Sequence, residues 1–516
     1  MFLAKVQILS LAVALGLLAA LLLGYIPATP VPVAMPSLEL PGLGGPKDPI
    51  TGQSTGKPTA AKPKRAKAVK FEDKRKIVAL LREKNFAGLE TLFERLKADY
   101  RTGKTPDTIV LHAADAFRHA TPDIEPILDA WIAGRPRSAV ARMARGIHFR
   151  TIGWYARGYD YINATPAERV SAMRTAFGKA EVDLTKAVAL DPGLTPAYAY
   201  LINMAMGLGK NAQRDFWHAQ GLDKNPRSAI VRQFYLLGMT PQWGGSARKA
   251  RAYVTSQFGS DAAQAADLSY LYGYPAYVEG MGHWLKNNRN AALKAFDRAI
   301  AKSDFFLFHL GRARILKRMK RYEDARVSLK RAQALWPQDV DILHHLADSA
   351  YKQKDAGTAF GLWRQALEIE PHEPTPLRQY AYNLYRTGNL DESARLLERA
   401  KIYSGGDEWV HFMSARIAYK RKNFAGAVSG FAKARSLKPQ RLRNIYWGGA
   451  SYYMMDRDCR AVPLLTAYVA QCRQSRNARK SVCSSRRTKW AGGALARYAT
   501  MSKCQIPAKD MKRTKA

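Results

Sequence analysis

The chain has 516 residues, room for two or three domains of ordinary size, and its apolar fraction of 47% excludes a disordered polymer. Lysine and arginine outnumber aspartate and glutamate by 82 to 42, a net charge of +40. Such a field favours anionic partners: nucleic acid, anionic lipid, acidic polysaccharide or acidic protein. The plainer reading is a solvated basic surface.

Residues 6–26, "VQILSLAVALGLLAALLLGYI", carry no charge over 21 positions, enough to cross a bilayer as a helix. A secretory h-region is shorter, about 7–15 residues, and ends at a small-residue cleavage site. The following "PATPVPVAMP" has no A-x-A site, so residues 1–26 read as an uncleaved signal anchor, with a cleaved peptide as the alternative. Lys5 lies on the short side, whereas Glu39 and Lys47 are the first charges beyond the span. Lys62, Lys64, Arg65 and Lys67 are too distant to set orientation. The expectation is a single-pass protein of a bacterial inner membrane with its bulk in the periplasm. Residues 27–70 are Pro/Lys-rich and read as an extended linker. Its run "KPTAAKPKRAK" could touch anionic headgroups or simply keep the tether soluble.

Helical periodicity starts at Phe71. In "IVALLREKNFAGLETLFERLK" the residues Ile77, Leu80, Leu81, Phe86, Leu89, Leu92, Phe93 and Leu96 follow 3–4 spacing, and Asn85 breaks the run into a hairpin. No stretch alternates with period two, so the fold class is all-α. Within 71–260, "AFGKAEVDLTKAVALDP" has the small and large residues of a repeat's second helix at Ala180, Leu184 and Ala187. Around it stand "RPRSAVARMARGIHFRTIGWYARG" (135–158) and "LLGMTPQWGGSARKA" (236–250). With its ARG at 144–146, GWYARG at 153–158 and Pro-x-Trp-Gly-Gly-Ser at 241–246, this region resembles a bacterial domain-of-unknown-function family numbered four-zero-three-four. The resemblance implies a helical, repeat-like domain and no catalytic residues. The turn Trp243, Gly244, Gly245 and Ser246 is a possible anion site beside Arg248 and Lys249, or a helix–helix turn in which Trp243 caps the core.

Residues 261–475 repeat themselves. Ala325, Ala359, Ser393, Ala427 and Ala461 are small residues at steps of 34. Ala332, Ala366, Ala400 and Ala434 keep that step, as do Ala313, Ala347, Ala381 and Ala415. Leu329, Trp363, Leu397, Phe431 and Leu465 supply one large residue per unit, and Pro337, Pro371 and Pro439 end three of the units. This pattern resembles the tetratricopeptide repeat. Small residues let two helices approach, large ones fill the gap to the next hairpin, and proline stops the second helix. Stacked hairpins then form a superhelical solenoid. One unit ends in Gly405 and Gly406 instead of proline, which predicts a looser turn.

The resemblance implies that first helices line a concave groove. Register then places Arg314, Arg318, His344, Tyr351, Lys352, Arg378, Tyr382, Tyr385, Arg386, Arg416, Tyr419, Lys420 and Tyr453 on its surface, with Leu310, Lys317, Asp348, Phe412 and Tyr446 beside them. Aromatics offer contact area at low entropy cost, and cations bind carboxylates or phosphates. Tyrosine followed by lysine is also frequent at these positions in such repeats, so packing alone could explain the ladder.

Residues 476–516 form a basic cap and tail. From 456 onward 15 Lys/Arg face 3 Asp. The chain's four cysteines, Cys459, Cys472, Cys483 and Cys504, lack zinc-ribbon spacing and fit two disulfides, with three pairings open. No constellation for catalysis, cofactor or metal is found. "GLGGPK" (42–47) lacks P-loop spacing, there is no H-E-x-x-H or G-x-S-x-G, and His344–His345 read as groove or solvated residues. The expected function is a membrane-anchored scaffold that binds a protein or peptide of acidic character, not nucleic acid. The alternatives are a binder of an anionic polymer and an enzyme with an unrecognised site in 71–260.

Overall fold

A computed structural model describes residues 70–158, 161–258, 266–455, 458–474, 482–501 and 504. Every regular element among them is a helix. The expected anchor at 6–26 and nearly all of the linker lie outside the described residues. Among the described residues no helix is long and apolar enough to cross a membrane.

The repeats appear as helical hairpins: Phe306–Arg318 with Tyr322–Leu335, Val340–Lys352 with Ala356–Ile369, Pro374–Thr387 with Leu390–Ser404, Glu408–Lys420 with Phe424–Leu437, and Leu442–Met454 with Ala461–Gln474. The series extends back through Tyr274–Leu285 with Arg289–Lys302. Further back, Thr195–Gly207 pairs with Asn211–Lys224 and Ala139–Arg157 with Ala167–Leu190. The helices Ala229–Leu237 and Ala247–Phe258, joined through a 3-10 turn at Pro241–Trp243, interrupt that regularity.

Each small residue of the 34-step pattern is buried, as are Leu329, Trp363, Leu397, Phe431 and Leu465. Burying one such large side chain stabilises by about 1.5–3 kcal/mol. Four hairpin turns share one backbone: Lys320, Lys354, Gly388 and Lys422, again 34 apart, have φ of 63°, 69°, 92° and 63°. The residue after three of them caps the second helix. Asp355, Asn389 and Asn423 accept from the backbone N–H of Thr358, Glu392 and Gly426 at 3.0, 3.3 and 2.9 Å.

The helices of 71–260 and of 261–475 belong to one compact unit, Lys67–Ala516. The N-terminal helices pack along the row of turns between successive repeats. His112 Nε2 donates to the Pro337 carbonyl at 2.8 Å, and His119 Nδ1 to the Ile369 carbonyl at 2.9 Å. Gln338 accepts from the Lys74 backbone at 2.9 Å and donates to Asp73 at 2.7 Å. Trp336 lies against Phe71, His112 and Phe306. The hydrogen-bonded partners are 225 to 265 residues apart, about seven repeat lengths. The N-terminal helices therefore close against the turns of the later repeats. One apolar core accordingly contains Ile77, Phe93 and Phe117 together with Trp336, Ile342 and Leu346.

The turn without a proline takes part in this closure. A Cβ at Gly406 would lie 2.9 Å from Arg169 Cγ, and Tyr403 faces Tyr155 at 6.2 Å.

At the other end, Cys459 pairs with Cys504 and Cys472 with Cys483, each with Cα atoms 5.5 Å apart. They hold the final helix, Ser485–Ala499, on the last hairpin. The hydroxyls of Tyr468 and Tyr498 donate to the carbonyls of Val482 (2.7 Å) and Asp458 (3.0 Å) across the same junction.

Candidate functional site

The first helices present cations and aromatic rings in alternation. At one end Arg314 and Arg318 lie 5.7 and 5.1 Å from the centroid of Trp284. Arg314 pairs with Asp341 and donates from Nε to His345 Nε2 at 2.8 Å. Lys317 pairs with Asp348 at 2.6 Å, and its Nζ is 3.0 Å from His345 Nδ1. Arg378 pairs with Asp407 at 3.0 Å and covers Trp409 at 4.7 Å.

Further along, Arg416 stacks on Trp447 with its guanidinium carbon 3.8 Å from the ring centroid. It donates from Nη2 to the Tyr385 hydroxyl at 2.8 Å, while its buried Nε has no partner among the described residues. Burial pulls its pKa below the usual guanidinium value. Lys420 sits 5.1 Å from the Tyr385 ring, and Arg386 lies 6.0 Å from the exposed Tyr382. Arg318, Lys352, Arg386, Arg416 and Lys420 have no ion-pair partner among the described residues. Cations stacked on aromatic faces gain about 0.5–2 kcal/mol, which offsets part of the repulsion in such a row.

The predicted ladder is thus brought together, with particular departures. His344 is largely buried and only edges a cavity of this face: its Nδ1 accepts from Trp363 Nε1 at 3.2 Å, and burial drives its pKa down to about 4. Among the five large positions at 34-residue steps, 363 alone holds tryptophan, and that indole N–H needs an acceptor. Tyr351, Tyr385 and Tyr419 are half-buried, resting on the repeat core through Phe360, Trp363 and Trp447. Tyr453 is covered by the final helix: it packs against Trp490 and accepts from Arg497 at 2.8 Å. Trp284, Asp341, His345, Trp409, Trp447 and Arg487 also line this face. Four of the six occupy two register positions, 341 and 409, 345 and 447, which 34-residue bookkeeping could have supplied.

Two cavities open here. One of about 500 Å³ is lined by Trp284, Arg314, Lys317, Arg318, His345 and Lys352 among others. The second, about 270 Å³, shares Arg314, Asp341 and Thr375 with it and is closed on its far side by Arg118 of the N-terminal helices. Behind Arg118 lies a buried polar network. Glu370 accepts from Tyr155 at 3.0 Å and pairs with Arg118 at 3.1 Å. Asp115 accepts from Tyr200 and lies 3.8 Å from Lys74. Burial pushes the Glu370 carboxyl up to about 7. Burial acts the same way on Asp115, but the charges of Lys74 and Arg118 outweigh it and hold that carboxyl low.

The Trp-Gly-Gly-Ser turn is built by close approach. Gly244 has φ of 81°, and a Cβ at Gly245 would lie 2.0 Å from the Met239 carbonyl. Ser246 accepts from Lys249 N–H at 3.3 Å and caps the next helix. Trp243 is half-buried and meets Trp154 edge-on at 6.2 Å, with Arg157 over both rings. Two of the three motifs that carry the domain resemblance, at 153–158 and 241–246, thus touch. Among the described residues no group of three His, Cys, Asp or Glu is placed to hold a metal ion.

The family model described as Domain of unknown function (DUF4034) matches residues 73–213, a stretch that includes the GWYARG motif and stops before the Trp-Gly-Gly-Ser turn. No curated protein matches the chain. Among solved structures it is similar to the C-terminal part of a TPR repeat-containing protein from Cytophaga hutchinsonii, with 15% identity, 46% of this chain and 98% of that one covered, and a TM-score of 0.35. A tetratricopeptide repeat protein from Parabacteroides merdae shares 13% identity over 48% of this chain and 99% of that one, TM-score 0.36. YrrB, described as a TPR protein with an unusual peptide-binding site, shares 16% over 33% and 89%, TM-score 0.29.

Proposed function

We propose that this tetratricopeptide-repeat chain, with its N-terminal domain of unknown function, is an exported, membrane-anchored scaffold that binds an acidic segment of a partner protein along its concave face. The carrying observation is Arg416: a guanidinium stacked on Trp447, bonded to a neutral hydroxyl and lacking a carboxylate among the described residues. It stands in one row with Arg386 and Lys420, which are equally without acidic partners there. A peptide carboxylate would complete that row. The uncharged span at 6–26 and the two disulfides support export.

A glutamate-rich peptide titrated into the full chain should bind saturably. Arg416→Ala should weaken it by about 1–3 kcal/mol, the range of a desolvated anchor residue. Equal affinity for variant and wild type would sink the groove reading. If instead a long polyanion binds more tightly than the peptide and is lost steeply with salt, the alternative of an anionic-polymer binder stands. Export is tested separately by a periplasm-specific reporter fused after Ala516, which should be active.

A further inference from the structure

The 500 Å³ cavity between Trp284 and Lys352 holds more hydrogen-bond donors than its own residues can satisfy. Arg314 and Lys317 each have one carboxylate, Asp341 and Asp348, and both also point an N–H at His345. A neutral imidazole has a single acceptor nitrogen. It can serve one of these cations, and its own N–H then faces the other. Burial, with the nearby charges of Lys317 and Arg314, keeps His345 neutral at pH 7. Arg318 and Lys352 enter the same cavity from successive repeats without an ion-pair partner among the described residues. Four cations against two carboxylates leave two positive charges facing the space. The Trp284 ring beneath Arg314 and Arg318 fixes where their guanidinium groups lie.

We propose that this cavity binds a dianionic phosphoryl group carried on a side chain of the segment held in the groove, a reading that rests on the groove assignment above. A phosphate monoester brings a charge of about −1.5 to −2 and three acceptor oxygens. It matches both the excess charge and the surplus donors, whereas a lone carboxylate would neutralise half. Forked guanidinium donors suit its geometry.

The test is calorimetric titration of the full chain at fixed ionic strength with inorganic phosphate, phosphoserine and acetate. Phosphoserine should bind once per chain, at least tenfold tighter than acetate. The double variant Arg318→Ala, Lys352→Ala should weaken it at least tenfold while keeping the wild-type melting temperature, since both side chains are exposed. Unchanged binding in that variant, or acetate binding as well as phosphoserine, overturns the proposal. Inorganic phosphate binding more tightly than phosphoserine assigns the site to the free ion and overturns the side-chain source. Arg416→Ala separates the two readings. If it abolishes capture of the glutamate-rich peptide but no phosphate compound ever saturates, the groove stands and the phosphoryl pocket falls. If it leaves peptide capture intact while phosphoserine binding needs Arg318 and Lys352, the groove reading falls and the pocket remains.

Discussion

His148 on the helix Ala139–Arg157 is fully buried, and neither ring nitrogen has a hydrogen-bond partner among the described residues. Burial pushes its pKa down to about 4. The unfolded chain, titrating near 6.5, takes up the proton first. Stability from this group is complete above about pH 6.5 and is lost as pH falls towards 4. At pH 5 the loss is about 2 kcal/mol. His148→Leu should therefore shrink the difference in urea midpoint between pH 7 and pH 5, and an unchanged difference would show that the ring reaches water. Glu370 has the opposite sign: raised to about 7, it favours the folded state below 4.5 and loses that advantage as pH rises towards 7. Neither behaviour is legible in the sequence, where His148 and Glu370 look like ordinary surface residues of a helix and a turn. His344 shows the same limit. Its register position follows from the 34-residue step, but only contact with Trp363 turns its side chain inward to the core.

At the scale of one hairpin, the sequence is legible where chemistry repeats and opaque where it does not. Alanines and single large residues at 34-residue steps mark the packing directly. The turns are different. Lys320, Lys354 and Lys422 adopt the same positive φ as Gly388, and lysine carries no signal for it. Left-handed backbone costs a non-glycine residue roughly 1–2 kcal/mol, partly offset by the extra freedom glycine loses on folding. Lys354→Gly should thus stabilise the protein by about 1 kcal/mol, and Gly388→Lys should destabilise it similarly. A Cβ added at Gly388 would meet no atom within 4 Å, so backbone strain alone sets that effect. Chemical denaturation of the two variants checks the pair. Shifts of the same sign would mean that side-chain contacts at the turn dominate.

At the scale of the whole molecule the decisive contacts join segments 215 to 265 residues apart. No local pattern announces them: Gln338 and Glu370 sit in turns that would be solvent-facing in an open array. The buried Glu370 should be the most sensitive point. Removing one partner of a buried pair costs about 3–5 kcal/mol, and with Arg118 29% exposed about 2–3 is expected for Glu370→Ala. Hydrogen exchange should then rise together in Ala139–Arg157 and Pro374–Thr387, on both sides of the seam. A rise confined to the repeats would mean that closure adds little energy.

The seam also bears on heredity. Open repeat arrays gain and lose units by duplication at little structural cost, because each unit touches only its neighbours. Here one additional hairpin between Arg118 and Glu370 would displace the second partner from the first. The carboxylate would be left buried without its cation, and Trp336 would lose Phe71 and His112. A hairpin inserted between the two sides of the seam should therefore destabilise the fold. A hairpin inserted beyond Gly406, the last seam position described above, would leave all of these pairs in place.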